Sequence, residues 1–212
     1  AVRTDDKWGY INRDGKMVIA PSFEQANDFS EGLAAVIKDG MLGYIDKLGN
    51  WVIPRRFEPM RSLTDALSLP NFSNGLAVIQ YHNRYGYIDK TGHFAVEPRF
   101  ERAERFSAGL AVVKQNEKAG YICQQGPIVI AAQFEEARAF SEGLAGVKIK
   151  GKWGFINLSG ELIIPAQFDT VMPFKDGLAK VTAGSISGYI NNKGEYLWVS
   201  TQNKSFAKGL LD

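Results

Sequence analysis

Phe106-Ser107-Ala108-Gly109-Leu110-Ala111-Val112-Val113 opens a passage that runs on through Gly120-Tyr121-Ile122 and Ile128-Val129-Ile130 to Phe134-Glu135. Phe-x-x-Gly is a turn signal. The run after Gly109 is short and β-prone, and Gln115-Asn116-Glu117-Lys118 reads as a polar hairpin tip. Gly120-Tyr121-Ile122 is a second strand, a tight turn closes on Gly126, and Ile128–Ile130 is a third strand. Phe134-Glu135 then leads back to the next turn at Phe140. The passage therefore predicts an antiparallel meander of three short strands plus a return segment.

Reading outward, the same passage occurs six times. Its second-strand glycine recurs at Gly9, Gly43, Gly86, Gly120, Gly154 and Gly188, spaced by 34, 43, 34, 34 and 34 residues. Two further series keep step: Gly15, Gly49, Gly92, Gly126, Gly160 and Gly194, and Gly32, Gly75, Gly109, Gly143, Gly177 and Gly209. Together they take 18 of the 22 glycines. Helical hairpins of this period need long runs without breakers, and three framework glycines per unit leave none. A period of 20–50 residues means units that share one continuous core. The expected fold is all-β: one domain over residues 1–212, six units of short antiparallel hairpins in an open, twisted, solenoid-like array. The runner-up is a closed, propeller-like arrangement.

Period two dictates the packing. Tyr and Ile are adjacent in the second strand and point to opposite faces, so both faces are expected to be covered. The small residue at Ala34, Ala77, Ala111, Ala145 and Ala179 implies close approach of a neighbour. Pro21, Pro54, Pro98 and Pro165 are expected to follow the third strand and end its pairing, since proline cannot donate to a ladder. Twelve of the 13 phenylalanines fall on framework positions, which makes them core.

Composition narrows the function classes. The 25 basic and 23 acidic residues are interspersed, and the net charge of +2 gives no field for nucleic acid. No stretch approaches the roughly 18 apolar residues of a membrane span. The single Cys123 excludes an intrachain disulfide and a cysteine metal cage. The first residues and Gly209-Leu210-Leu211 stand at the same phase of the repeat, so the chain is expected to be cut mid-unit from a longer array.

The pattern Lys-Trp-Gly-Phe/Tyr-Ile-Asn, Gly, Ile/Val, Pro, Phe-Asp/Glu and Phe-x-x-Gly-Leu-Ala resembles the WG-repeat family. Its Trp-Gly pair stands as Trp8-Gly9 and Trp153-Gly154, while Leu42, Tyr85, Ala119 and Ser187 replace the tryptophan elsewhere. The resemblance covers the whole chain. It implies a mainly bacterial, β-rich array that binds or scaffolds without a shared catalytic site.

Catalytic constellations are sparse. His82 and His93 are separated by an extended strand of roughly 17–20 Å and cannot share a metal. Glu24, Glu58, Glu101, Glu135 and Asp169 recur at one position, which suggests one structural task, accepting backbone N–H bonds at a turn. Cys123 replaces the Asp or Asn of its turn and has no histidine in its unit, so it reads as inert. No glycine cluster forms a phosphate loop. The groups Arg55, Arg56 and Arg61, Arg99, Arg102 and Arg105, and Lys148, Lys150 and Lys152 read as solvated surface. No cofactor or metal is expected, and the chain is expected not to be an enzyme.

The departures from the repeat carry the functional expectation. Nine extra residues lie between Phe57 and Phe72, an insert at about 59–71. Met60, Leu63 and Leu67 stand there at helical spacing between Pro59 and Pro70, which predicts one or two helical turns on the array. Met60, Arg61, Leu63 and Leu67, with Trp8, Tyr85 and Trp153 before the second-strand glycine, are the candidate partner contacts. Trp198, at a usual Ile/Val position, marks an irregular last unit. The expected function is a non-enzymatic module that binds a protein partner. A glycan- or envelope-binding module, or the accessory domain of an enzyme, is the competing expectation.

Overall fold

A computed structural model describes residues 1–61 and 67–200. Every regular element among them is a β-strand. The chain divides into two compact units, residues 1–105 and 106–212. Each is built from small antiparallel sheets, one per repeat.

In the second unit the clearest sheet runs in the order Glu136–Ala137, Leu144–Ile149, Lys152–Asn157, Leu162–Phe168. The last sheet repeats this with Thr170–Val171, Ala179–Ala183, Ile186–Ile190 and Tyr196–Ser200. In the first unit the sheet Gln25–Ala26, Ala34–Lys38, Met41–Ile45, Trp51–Phe57 has the same order. Four of the repeat sheets are thus four-stranded where three strands were expected, while the sheets of Val2–Phe23 and Leu76–Phe100 are three-stranded. The return segment is itself a two-residue strand that pairs with the first strand of the next repeat, Gln25 opposite Ile37 and Ala26 opposite Val36.

The prolines sit inside the third strand, not after it. That strand runs seven residues, as in Leu162–Phe168, with Pro165 in its middle. Its register explains why this is tolerated. Trp153 pairs with Phe168 and Phe155 with Ile164, so residues 165–167 all face Gly154 alone. A bulge of this kind frees ladder positions, and proline occupies one that need not donate. The bulge also explains the second-strand glycine. A Cβ on Gly154 would lie 2.5 Å from the Ile164 carbonyl oxygen and 2.8 Å from the Ala166 nitrogen. The third-strand backbone crosses where a side chain would stand.

The insert contains no helix among its described residues. Met60–Arg61 pairs with Leu67–Ser68 as a short antiparallel hairpin; Leu63 lies outside the described residues. That pairing satisfies the backbone of the hairpin's limbs; residues 62–66, on which the expected helical turns also fall, lie outside the described residues.

The two faces of the second strand behave as expected within each unit. Tyr10, Ile19 and Phe23 of the first sheet pack with Ala34, Val36 and Ile45 of the second. Tyr121, Ile130 and Phe134 pack with Ala145, Val147 and Ile156. Phe155, Ile164 and Phe168 pack with Ala179, Val181 and Ile190. The core is therefore a stack in which the tyrosine face of one sheet meets the isoleucine face of the next. The recurring alanine lies in the same layer as the preceding tyrosine ring, where a larger side chain would hold the sheets apart. The tyrosine hydroxyls find a carbonyl further on: Tyr10 donates to Asn27 at 2.8 Å and Tyr121 to Arg138 at 2.8 Å.

A second system ties sheet to sheet through the Phe-x-x-Gly turns. Ser141 and Leu144 exchange backbone bonds, with Glu142 and Gly143 both at positive φ. That is a two-residue type I′ turn. The Ser141 hydroxyl donates to the Phe174 carbonyl of the next turn at 2.7 Å. The Glu142 carboxylate accepts from the Asp176 and Gly177 amides at 2.7 and 2.9 Å. In the first unit Ser30 reaches Phe72 and Glu31 reaches Gly75 in the same way. Ser107 reaches Phe140, but Ala108 stands where the gripping carboxylate should be. Ala108 also holds φ at 51°, which costs an L-residue about 1–2 kcal/mol. Replacing Ala108 with Glu is expected to raise stability by about 1 kcal/mol, or roughly 2–4 °C in Tm for a chain this size. Thermal melts of the two proteins check it.

Candidate functional site

Three of the recurring carboxylates are engaged in the frame. Glu24 accepts from the Gly40 amide at 3.2 Å, Glu135 from Gly151 at 2.9 Å and Asp169 from Gly184 at 2.6 Å. Each clamps the hairpin tip between the first and second strands of its sheet. The Lys152 ammonium and the Gly184 amide hold the Asp169 carboxyl below the ordinary aspartate range. Glu31 is likewise held low, chiefly by Lys90 at 3.0 Å.

The turn after the second strand is an Asx turn. Asn157 accepts through Oδ1 from Ser159 and Glu161, and Asp46 does the same for Leu48 and Asn50. Cys123 lacks that acceptor, and the residue four places on is Pro127, which has no N–H to offer. The backbone part of the turn survives, with Gly126 donating to the Cys123 carbonyl at 2.9 Å. The thiol is free and half-buried. His82 packs its ring on Tyr81, with centroids 4.2 Å apart, and His93 Nδ1 lies 2.7 Å from the Thr91 hydroxyl. Among the described residues no group of three or more His, Cys, Asp or Glu converges as a metal site.

Several of the arginines are exposed, as expected, and also lie over rings. Arg55 lies over Trp51, Arg56 over Phe57 and Arg99 over Phe100. Arg56 also donates to the Gly92 carbonyl at 2.6 Å. Arg138 lies 4.7 Å above the Trp153 ring. Trp153 is only 5% exposed and belongs to the core, in space that Gly146 leaves open. A Cβ at Gly146 would come within 3.6 Å of that indole and 2.9 Å of Val171.

The other expected contacts fall differently. Tyr85 is half-buried, paired between Gln80 and Phe100. Met60 is half-buried at the base of the insert hairpin, where Arg61 pairs with Leu67. Trp8 is half-buried and meets the insert. Together with Arg3, Glu24, Gln25, Ala26, Asn27 and Leu69 it lines a cleft of about 450 Å3. Asn27 fixes the far limb of the insert by donating to the Leu69 carbonyl and to Asn71, both at 2.9 Å. The structure thus brings Trp8 and the insert together through Leu69, a residue outside the expected set.

A second surface feature escaped the sequence reading. The second residue of the third strand is exposed and apolar in repeat after repeat: Val18 and Val52 in the first unit, Val129, Ile163 and Leu197 in the second. These residues sit on the edge strand of their sheets. The available signal was the pair of apolar residues before each buried third-strand Ile or Val, such as Ile128-Val129 before Ile130. Both members of that pair are exposed, at 42% and 49%.

Fold and geometry together define a tandem β-repeat protein. The chain belongs to the WG containing repeat family, whose model matches residues 8–41, 43–65, 85–118, 120–153 and 153–184. No curated protein matches it. Among solved structures it resembles Hsv2 from Kluyveromyces lactis at 11% identity and a TM-score of 0.52, covering 91% of this chain and 69% of that one. A variant of the same protein with loop 6CD replaced by a Gly-Ser linker gives a TM-score of 0.56 at 11% identity, covering 90% and 72%. A eukaryotic initiation factor gives 0.54 at 14% identity, covering 94% of this chain and 61% of that one. At these identities the likeness shows the fold alone, and it is consistent with the propeller-like arrangement. Among the described residues no helix is long and apolar enough to cross a membrane.

Proposed function

We propose that the chain is a non-catalytic protein-binding module whose contact surface, in each unit by itself, is formed by the third-strand edges. The observation that carries this reading is the exposed apolar residue at one position of five of the six such edges, Val18, Val52, Val129, Ile163 and Leu197; the sixth has Ala95 there. Isolated exposed apolar residues are ordinary on any surface, but repetition at one structural position gives an extended partner a regular series of footholds. The recurring acidic groups support the non-catalytic part, because Glu24, Glu135 and Asp169 are engaged in clamping hairpin tips.

The test is affinity capture with the wild type and with Val129→Asp/Ile163→Asp. Both residues are exposed, so the variant is expected to melt with the wild type and to lose the partners that the wild type retains. Partners retained equally by both proteins would overturn the edge surface. Retention on a glycan array that Trp8→Ala abolishes would replace it with carbohydrate binding at the Trp8 cleft.

A further inference from the structure

One third strand differs from the others in what its edge offers. Among the described residues five third strands run seven residues: Met17–Phe23, Trp51–Phe57, Phe94–Phe100, Ile128–Phe134 and Leu162–Phe168. All five keep the same bulged register against the second strand. Proline stands fourth in two of them, Pro54 and Pro165, and fifth in two others, Pro21 and Pro98. The sheet therefore needs an N–H at neither place. Ile128–Phe134 alone holds Ala131 and Ala132 there and keeps both donors. It also carries no charge, whereas Arg55, Arg56, Glu97 and Arg99 stand on the edges of the second and third repeats. Its exposed members are Ile128, Val129, Ala131 and Gln133. Proline and charge are two of the devices that keep a sheet edge from pairing with another chain. This edge has neither, and its composition is that of a segment prone to strand addition. It lies in an interior repeat, on the lateral edge of its sheet and away from the stacked faces.

We infer that Ile128–Phe134 is a self-association edge, to which a second copy of this chain adds its own Ile128–Phe134, antiparallel across a two-fold axis. The strand suits its own copy. With the axis at Ala131 a small side chain meets itself, and Val129 of each copy lies beside Gln133 of the other. No like charges meet, as they would if an edge bearing Arg55 and Arg56 faced its copy. The contact is isologous, so it closes as a dimer. It gives the exposed Ile128 and Val129 cross-strand neighbours and the two alanine amides acceptors within reach. The bulge opposite Gly120 shortens the ladder, so the dimer belongs to the weak, reversible class of small interfaces. This inference uses one of the edges of the proposed function but needs no outside partner.

Sedimentation and light scattering of the purified 212-residue chain, from micromolar concentrations to about 1 mM, test it alongside Ala131→Pro, Ala131→Glu and Ala131→Lys. The second and fifth repeats already carry proline at this position, so Ala131→Pro is expected to melt with the wild type at low concentration. The wild type is expected to form a concentration-dependent dimer and nothing larger. Each variant alone is expected to weaken dimerisation by about tenfold or more, because proline removes a donor and paired Glu or Lys side chains set like charges opposite each other. An equimolar mixture of the Glu and Lys variants is expected to regain a dimer with one copy of each. Should the proline variant fail to fold, the two charge variants at this exposed position carry the test. A wild type that stays monomeric overturns the inference and leaves the edge to a strand from another protein. So does a dimer indifferent to all three substitutions, a wild type that assembles beyond the dimer, or a mixture that stays monomeric. Ala131→Pro keeps Val129 and Ile163, so failure of partner capture and failure of self-association are read separately.

Discussion

Gly154→Ala is expected to destabilise the second unit by about 3 kcal/mol or more, at the upper end of what overpacking costs. The added methyl would stand 2.5 Å from the Ile164 oxygen, 2.8 Å from the Ala166 nitrogen and 2.9 Å from its Cα. All three are backbone atoms of the adjoining strand, so no rotamer change relieves the clash. Either the bulge opposite Gly154 opens or the third strand separates, and with it Phe168, which is 1% exposed beside Trp153. Gly177→Ala is the informative control. Its Cβ would meet nothing within 4 Å, but φ is +78°. Only the left-handed penalty of about 1–2 kcal/mol applies there. Denaturant titration of both variants separates the two roles of glycine in this repeat. Equal losses would show that crowding at Gly154 has been overstated.

Tyr121→Ala carries the second-largest expected effect, about 3–5 kcal/mol by comparison with other large aromatic truncations. The ring is fully buried and lies 4.9 Å from Phe140, in the layer that also holds Ala145 and Val147. Truncation removes the side chain that fills the space between two sheets, and the turn ladder on either side restrains collapse into it. Tyr121→Phe is expected to cost far less, about 1 kcal/mol, the net worth of the bond to the Arg138 carbonyl. Chemical denaturation of the pair measures ring and hydroxyl separately. An Ala variant that melts with the wild type would refute stacking as the source of the core.

Much of this architecture was legible in one strand. Alternation in Gly120-Tyr121-Ile122 places two large apolar groups on opposite faces, and that alone requires a neighbour on each side. The Asx turns were legible for a similar reason, because Asn157 and Gly160 carry their geometry in their own chemistry. The errors fell where geometry depends on the partner strand. Pro165 is a breaker by intrinsic preference, and only the register against Gly154 shows that it occupies a bulge. The return strand Glu136–Ala137 is two residues long and has no periodicity of its own; its identity lies in its pairing with Val147 and Lys148. Trp153 attracted attention as an exposed anchor because tryptophan is common at interfaces, yet Gly146 and Arg138 make a pocket for it. The limbs of the insert, Met60–Arg61 and Leu67–Ser68, pair as strands, and that too lies in the partner and not in the spacing of Met60 and Leu67.

The same bonds bracket the insert as bracket an ordinary link, displaced by its length. Tyr10 reaches a carbonyl 17 residues on, whereas Tyr44 reaches Pro70, 26 on. Ser107 reaches 33 residues and Ser30 reaches 42. Glu142 grips Gly177 across 35 residues and Glu31 grips Gly75 across 44. In each pair the excess is nine residues, the full length of the insert. The frame therefore measures space and is indifferent to contour length at this one link, where closing a longer loop adds little. That makes the link between Phe57 and Phe72 a natural graft point, where foreign sequence can be carried without retuning the repeats on either side.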